Sequence, residues 1–308
     1  MDLPCSFRQS PLLIPKNTPY LDRVTSQEYR TERAILGMGT LIDGHPALAE
    51  AMNESGLACA GLNFARYACY ADAPAAGKRN LAPYDLILQV LSLCDTTDQA
   101  ADLLSQCELV AVPINRDTPL PTLHWMIADK TGTSIVAERT RQGLSIHHNP
   151  VGVMTNDPTF DWHLTNLNEY LDLHPEHPRP VHWSEQPLRG LGIGIGTLGM
   201  PGDFSSVSRF VRAAYARAHL PGQKDPPNAL AQFFHILDNC AMVKGCVYTK
   251  DGQEDLTLYS SCMDLTAGVY YYRTYANSRI TAIPLDRGAQ NGIKTYPYAD
   301  EQDICWQN

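Results

Sequence analysis

The sequence predicts an α+β fold, on three observations. Short apolar or alternating segments bounded by turn residues occur towards both ends of the chain, which is how strands read in sequence. Segments with helical spacing fall between groups of such strands and do not alternate singly with them, an order that favours α+β over a doubly wound parallel sheet. Strand-like residues in both halves point to one shared core. The 308 residues are therefore expected to form a single domain, although length alone suggests about two.

In chain order, the first predicted strands are Ala34–Ile42 (AILGMGTLI) and Gly56–Asn63 (GLACAGLN). Helical spacing follows over Tyr84–Cys94 and Thr97–Cys107, with Asp95, Thr96 or Thr97 available to cap the second helix. Thr122–Asp129 and Thr133–Glu138 are strand-like, and Asp129-Lys130-Thr131-Gly132 joins them as a hairpin turn. His147-His148 reads as a strand end. Further helices fit Ser208–His219 and Pro226–Cys240, the latter with Pro226 and Pro227 in its first turn. A final meander of β-branched and aromatic residues covers Leu256–Met263, Gly268–Tyr275 and Arg279–Ile283. Two proline-rich loops, Asp172–Gly190 and Leu220–Asn228, interrupt this order.

Composition removes several function classes. Twenty-four Lys and Arg against 33 Asp and Glu leave a net charge of −9, which repels a phosphate backbone, so no nucleic-acid partner is expected. No apolar run approaches the 18 or so residues needed to span a membrane, and MDLPCSFRQS has no secretory pattern. The expected compartment is the reducing cytoplasm, with the nine cysteines as thiols.

Two motifs are decoys. Gly194–Gly199 matches G-x-G-x-x-G but runs into Met200-Pro201-Gly202-Asp203, which cannot open the helix that a dinucleotide site requires. The alternating glycines at 190, 192, 194 and 196 suit close backbone packing or a subunit contact. His174 and His177 lie among prolines with no cysteine or carboxylate pair at zinc spacing, so no metal is expected. Neither a G-x-S-x-G elbow nor a P-loop is present.

Three segments go further. GLACAGLNF (56–64), GVMTNDPTFDWH (152–163) and PGDFSSVSRF (201–210) resemble the choloylglycine hydrolase family, the bile salt hydrolases and penicillin V acylases. The likeness extends to LHWMIAD, FFHIL and GVYYYRTY, and so through nearly the whole chain. It implies the four-layer αββα sandwich of N-terminal nucleophile hydrolases, a homotetramer with the glycine-rich 190–202 loop as a candidate contact, and no cofactor.

Chemistry of this kind uses a cysteine thiolate to attack an amide carbonyl, with the cysteine's own α-amino group as base. The site must orient that amine, favour the thiolate and stabilise the oxyanion. By resemblance, Asp2 falls on the position that holds the amine. Asn63, through its main-chain N–H, and Asn156, through its side-chain amide, fall on the oxyanion-hole positions. Arg209 falls on the position beside the thiol. The loops around Phe64–Ala82 and Met154–Phe160 are expected to wall an apolar trough, with Phe64 and Thr155 touching substrate. Asparagine at position 63 resembles the bile salt hydrolase form, where penicillin V acylases typically carry tyrosine.

The sequence departs from the family pattern at its start. The resemblance implies a nucleophilic cysteine after the initiator Met, then a two-strand segment, then an R-N-M-D motif; here Met1-Asp2 matches only the motif's last two residues. The nucleophile and the first two strands are therefore expected to be missing. Cys5 is a poor substitute, because exposing its amine removes Asp2. Three readings stand open: hydrolysis of glycine- or taurine-conjugated bile salts, an acylase acting on penicillin V, and a non-catalytic remnant that binds bile salts.

Overall fold

The structure, a computed structural model, describes residues 1–223, 225–289 and 292–307; Lys224 of the second proline-rich loop lies outside them. An eight-stranded antiparallel sheet runs in the order Gly143–His148, Ser134–Thr140, Leu123–Asp129, Leu57–Asn63, His45–Asn53, Ile35–Ile42, Ser10–Ile14, Lys294–Thr295. Both faces are covered, and the period of two sorts the side chains between them. Leu12, Ile14, Ile35, Ala51 and Cys59 meet helices α1 (Leu86–Leu93) and α2 (Thr97–Ser105), whose buried face includes Leu86, Val90, Ala100 and Leu104. Their sequence neighbours Leu13, Leu36 and Met52 point the other way, against Tyr259, Tyr270, Tyr272 and Ile283 of a second sheet.

That second sheet is the C-terminal meander, Tyr259–Asp264, Val269–Thr274 and Thr281–Pro284. The strand Glu254–Thr257 lies just upstream of it in the chain and pairs with Asp2–Leu3. Helix α3 (Phe160–Asn166) and helix α4 (Ser206–Ala218) share a core of Val136, Phe160, Phe210 and Ala214. Helix α5 (Pro226–Asp238) lies against the second sheet, where Arg273 sits 4.9 Å over the Phe234 ring.

The predicted strands and helices are all present, with shifted ends. Ser205 caps α4 by accepting from the Ser208 N–H, so this helix starts two residues earlier than its apolar spacing shows. Asp225 caps α5 and Thr96 caps α2. The predicted 97–107 helix stops at Ser105 and passes into a short strand, Cys107–Leu109, in which Cys107 and Leu109 face the core. The strand His45–Asn53, the strand Ser10–Ile14 and helix α3 are additional to the sequence reading. Within Asp172–Gly190 the chain forms a small hairpin, Val181–Trp183 with Gln186–Leu188. Gly196 packs as its spacing suggests: a Cβ there would stand 2.4 Å from the carbonyls of His174 and Glu176, whereas Gly192 and Gly194 face open space.

Between the two sheets lies a buried carboxyl. Glu50 comes from the inner face of His45–Asn53 and accepts hydrogen bonds from Tyr259 (2.8 Å), Tyr270 (2.7 Å) and Ser261 (3.0 Å) on the opposite sheet. Burial pushes this carboxyl above the usual glutamate range, opposed by the three hydroxyl donors.

Candidate active site

The four residues expected to be catalytic are far apart in sequence and adjacent in space. Asp2 lies in a two-residue strand, Asn63 ends a strand of the large sheet, Asn156 lies in the loop before α3, and Arg209 is in the first turns of α4. One continuous chain of hydrogen bonds joins them. Arg209 donates from Nη1 to Asp2 Oδ2 (3.1 Å) and from Nη2 to Asn156 Oδ1 (2.7 Å). Asn156 Nδ2 in turn donates to the Asn63 carbonyl (2.9 Å).

Each link constrains the next. Thr257 donates to the other carboxylate oxygen of Asp2 at 2.6 Å, so both oxygens are engaged. Arg209 also donates from Nε to the Phe204 carbonyl, which sets the plane of its guanidinium. Because that guanidinium is a pure donor, Asn156 must present its oxygen to Arg209 and its NH2 to Asn63. One N–H of that NH2 goes to Asn63; the other is left for a ligand. Thr122 donates to Asn63 Oδ1 (3.0 Å), while Asn63 itself remains exposed. An aspartate, a fixed positive charge and an amide with a spare donor thus converge on one edge of the molecule.

The α4 terminus that delivers Arg209 is braced separately. Asp203 accepts from the Ser205 N–H (2.8 Å) and from the Ser208 hydroxyl (2.5 Å), and hydrogen bonding from the Ser205 side chain, the Ser208 side chain and the Ser205 N–H holds its carboxyl down to about 2. Arg212, one turn beyond Arg209, donates to the carbonyls of Pro201, Asp203 and Asn239, tying the helix to both flanking loops.

Phe64 and Thr155 require a correction: neither stands on a substrate wall. Phe64 is fully buried and stacks between Tyr67 (5.3 Å) and His124 (4.3 Å). Thr155 is buried with its hydroxyl bonded to Ser206. Consecutive residues on an extended chain face opposite sides, so an exposed Asn63 turns Phe64 inward. In the first of the two expected wall loops Arg66 and Tyr67 are exposed, and Arg66 reaches Asp157 of the second at 4.0 Å.

None of the nine cysteines, all free thiols, completes the constellation. The Sγ of Cys240 lies 3.6 Å from the Arg209 carbonyl, and burial pushes this thiol up despite the guanidinium groups of Arg212 and Arg209. Cys59 is buried in the large sheet with its thiol pushed far above the ordinary value. Cys5 is exposed, three residues past Asp2.

Residues 1–302 match the model of the linear amide C–N hydrolases, choloylglycine hydrolase family. The chain belongs to the choloylglycine hydrolase family. It is 44% identical to the bile salt hydrolase/transferase of Clostridium perfringens over 301 residues, 97% of this chain and 91% of that protein. A crystal structure of a mutant conjugated bile acid hydrolase from the same organism superposes with a TM-score of 0.94 at 42% identity, covering all of this chain and 94% of that one. The penicillin V acylase of Agrobacterium tumefaciens, 23% identical, shares the fold at a TM-score of 0.74 over 96% of this chain and 85% of that one. Membership of the choloylglycine hydrolase family makes the protein an amide hydrolase by class. Its layers, helices α1 and α2, eight-stranded sheet, second sheet and helix α5, follow the sandwich expected from the sequence. Among the described residues no helix is long and apolar enough to cross a membrane.

The sequence reading omits Thr257, Ser206, His124 and His163, which support the four residues without belonging to a recognisable catalytic motif. Three of them, His124, His163 and Ser206, lie inside the very segments that carry the family likeness.

Proposed function

We propose that this single-domain protein hydrolyses the amide bond of glycine- or taurine-conjugated bile salts in the cytoplasm, with a nucleophilic cysteine that heads a segment preceding Met1. The observation that carries this reading is the hydrogen-bonded series Asp2, Arg209, Asn156, Asn63, joined to the names of the relatives above. The thiolate attacks the amide carbonyl and forms the C–S bond. The oxyanion then takes the spare Asn156 N–H and the Asn63 main-chain N–H. Collapse of this intermediate breaks the C–N bond, and the proton held by the cysteine's amine passes to the departing glycine or taurine. Water then cleaves the thioester to release the free bile acid. Asp2 would hold the amine, and Arg209 would favour the thiolate.

Strand pairing supports a nucleophile upstream. Asp2 pairs with Thr257 and Leu3 with Leu256, antiparallel. The Met1 nitrogen donates to the Tyr259 carbonyl at 2.8 Å, as a ladder amide does. Continuing this register upstream leads along Tyr259–Asp264, which among the described residues pairs on its other side only, with Val269–Thr274. An incoming strand there would complete the second sheet beside Asp2.

The test measures release of glycine, taurine and phenoxyacetate from glycocholate, taurocholate and penicillin V. It uses the 308-residue chain and a chain extended by the residues its gene encodes upstream. Hydrolysis of both bile salts by the extended chain, with binding but no turnover by the shorter one, is the expected result. Penicillin V turnover far above both bile salts would replace the substrate, and turnover by the shorter chain would return attention to Cys5.

A homotetramer is also proposed, with its contact in the segment 171–200. Trp183, Leu191, Ile193 and Leu198 are 74%, 95%, 106% and 80% exposed there, a concentration of apolar surface that monomers seldom leave to water. Ile193→Asp together with Trp183→Ser is expected to shift the mass measured by light scattering from tetramer towards monomer. An unchanged mass refutes this contact.

A further inference from the structure

Asn156 is held by more than its two side-chain partners. The carbonyl of Thr155 faces His124 Nε2 at 2.7 Å, and the next carbonyl, that of Asn156 itself, faces His163 Nε2 at 3.1 Å. The Asn156 N–H donates to Ser206 Oγ at 2.8 Å. A carbonyl can only accept, so both Nε2 atoms must carry hydrogen. Each imidazole also lies flat against the phenylalanine that follows a site residue. His124 stacks on Phe64, after Asn63, at 4.3 Å and 6°; His163 stacks on Phe210, after Arg209, at 4.5 Å and 16°.

We propose that His124 and His163 are positioning residues, a paired clamp on consecutive carbonyls that aims the Asn156 amide at Asn63 and Arg209. The proposal rests on the oxyanion role given to Asn156 above. Both rings are almost wholly buried, so water does not compete for their donors. Glu138 faces the other ring nitrogen of His124. Its Oε1 lies 3.1 Å from Nδ1 and also accepts the Phe160 N–H at 3.0 Å.

His163 is fixed by exclusion. Its Nδ1 is buried without a hydrogen-bond partner, so a second proton would create an unsatisfied charged donor. The ionisable groups that act on this ring are His124, Glu138 and Arg209. Burial lowers its pKa, opposed by the bond to the Asn156 carbonyl and by Glu138, while His124 and Arg209 add to the effect. The ring stays neutral, with its single hydrogen on the Asn156 carbonyl.

The test compares His163→Phe, which keeps an aromatic ring against Phe210 but has no donor, with His163→Gln, whose amide N–H can reach the same carbonyl. In the 308-residue chain labelled with 15N-asparagine, the Asn156 side-chain amide is expected to be rigid, with an order parameter of about 0.85. In His163→Phe it falls below about 0.6 with an unchanged fold; in His163→Gln most of the rigidity returns. In the extended, active chain, His163→Phe should lower kcat by about 10- to 100-fold, the scale of a small misplacement. KM for glycocholate should stay within about twofold, since ground-state binding is untouched, and His163→Gln should recover most of kcat. Unchanged amide order in His163→Phe, or equal losses in both variants, overturns the proposal. An extended chain silent on bile salts but showing the amide pattern would refute the proposed reaction while leaving the clamp in place.

Discussion

Asn156→Ala in the extended chain is expected to lower kcat for glycocholate and taurocholate by roughly 10²–10³-fold, the usual effect of removing one oxyanion donor, with KM changed by less than about threefold. The variant deletes the spare N–H, the N–H given to the Asn63 carbonyl at 2.9 Å and the acceptor that receives Arg209 Nη2 at 2.7 Å. It leaves the main chain intact, because the Asn156 N–H still has Ser206 and the carbonyl still has His163. Circular dichroism and the thermal midpoint should therefore match the wild type. Steady-state kinetics on the two proteins check the prediction, and a kcat within about tenfold of wild type would remove Asn156 from the oxyanion site.

The largest effect on stability is expected at Glu50. Glu50→Ala leaves the buried hydroxyls of Tyr259 and Tyr270 without their acceptor and opens a void between the sheets. A cost of roughly 3–5 kcal/mol follows, seen as a fall of roughly 5–10 °C in the thermal midpoint. The pH dependence identifies the cause. Burial raises the folded carboxyl above its unfolded value of about 4.3, so the folded state binds the extra proton. Stability from this group is fully present below the unfolded value and is lost as pH rises through the folded one. Glu50→Gln cannot titrate, so the difference in stability between this variant and the wild type should shift in favour of the variant as pH rises across that window. A difference independent of pH would mean that the carboxyl titrates alike in both states.

Much of the fold is legible where one physical signal acts alone. Ile35–Ile42 and Leu57–Asn63 are short, apolar and bounded by turns, and Thr96 is a cap whose side chain does bond a first-turn N–H group. His45–Asn53 (HPALAEAMN) escapes because Ala, Glu and Met favour helix, and only pairing with strands on both sides makes it extended. The four site residues are identified through motif likeness. Their convergence has no local signature, since the contacts between them span 53, 93 and 207 positions. Phe64 and Thr155 face away from the expected wall because proximity in sequence to a site residue does not set facing; the alternation at Asn63 and Phe64 does. His124 and His163 are invisible for another reason: a buried histidine between carbonyls has no characteristic spacing, and only coordinates reveal what its nitrogens meet.

The bond between Asp2 and Thr257 closes a span of 255 residues, and that span has a consequence in time. During synthesis the amino end leaves the ribosome first, yet its partner strand follows only when most of the chain has been made. At about 5–20 residues per second, Asp2 waits roughly 13–50 s before Thr257 has even been added. The strand that carries Asp2 therefore cannot be seated on Glu254–Thr257 until most of the chain has been made.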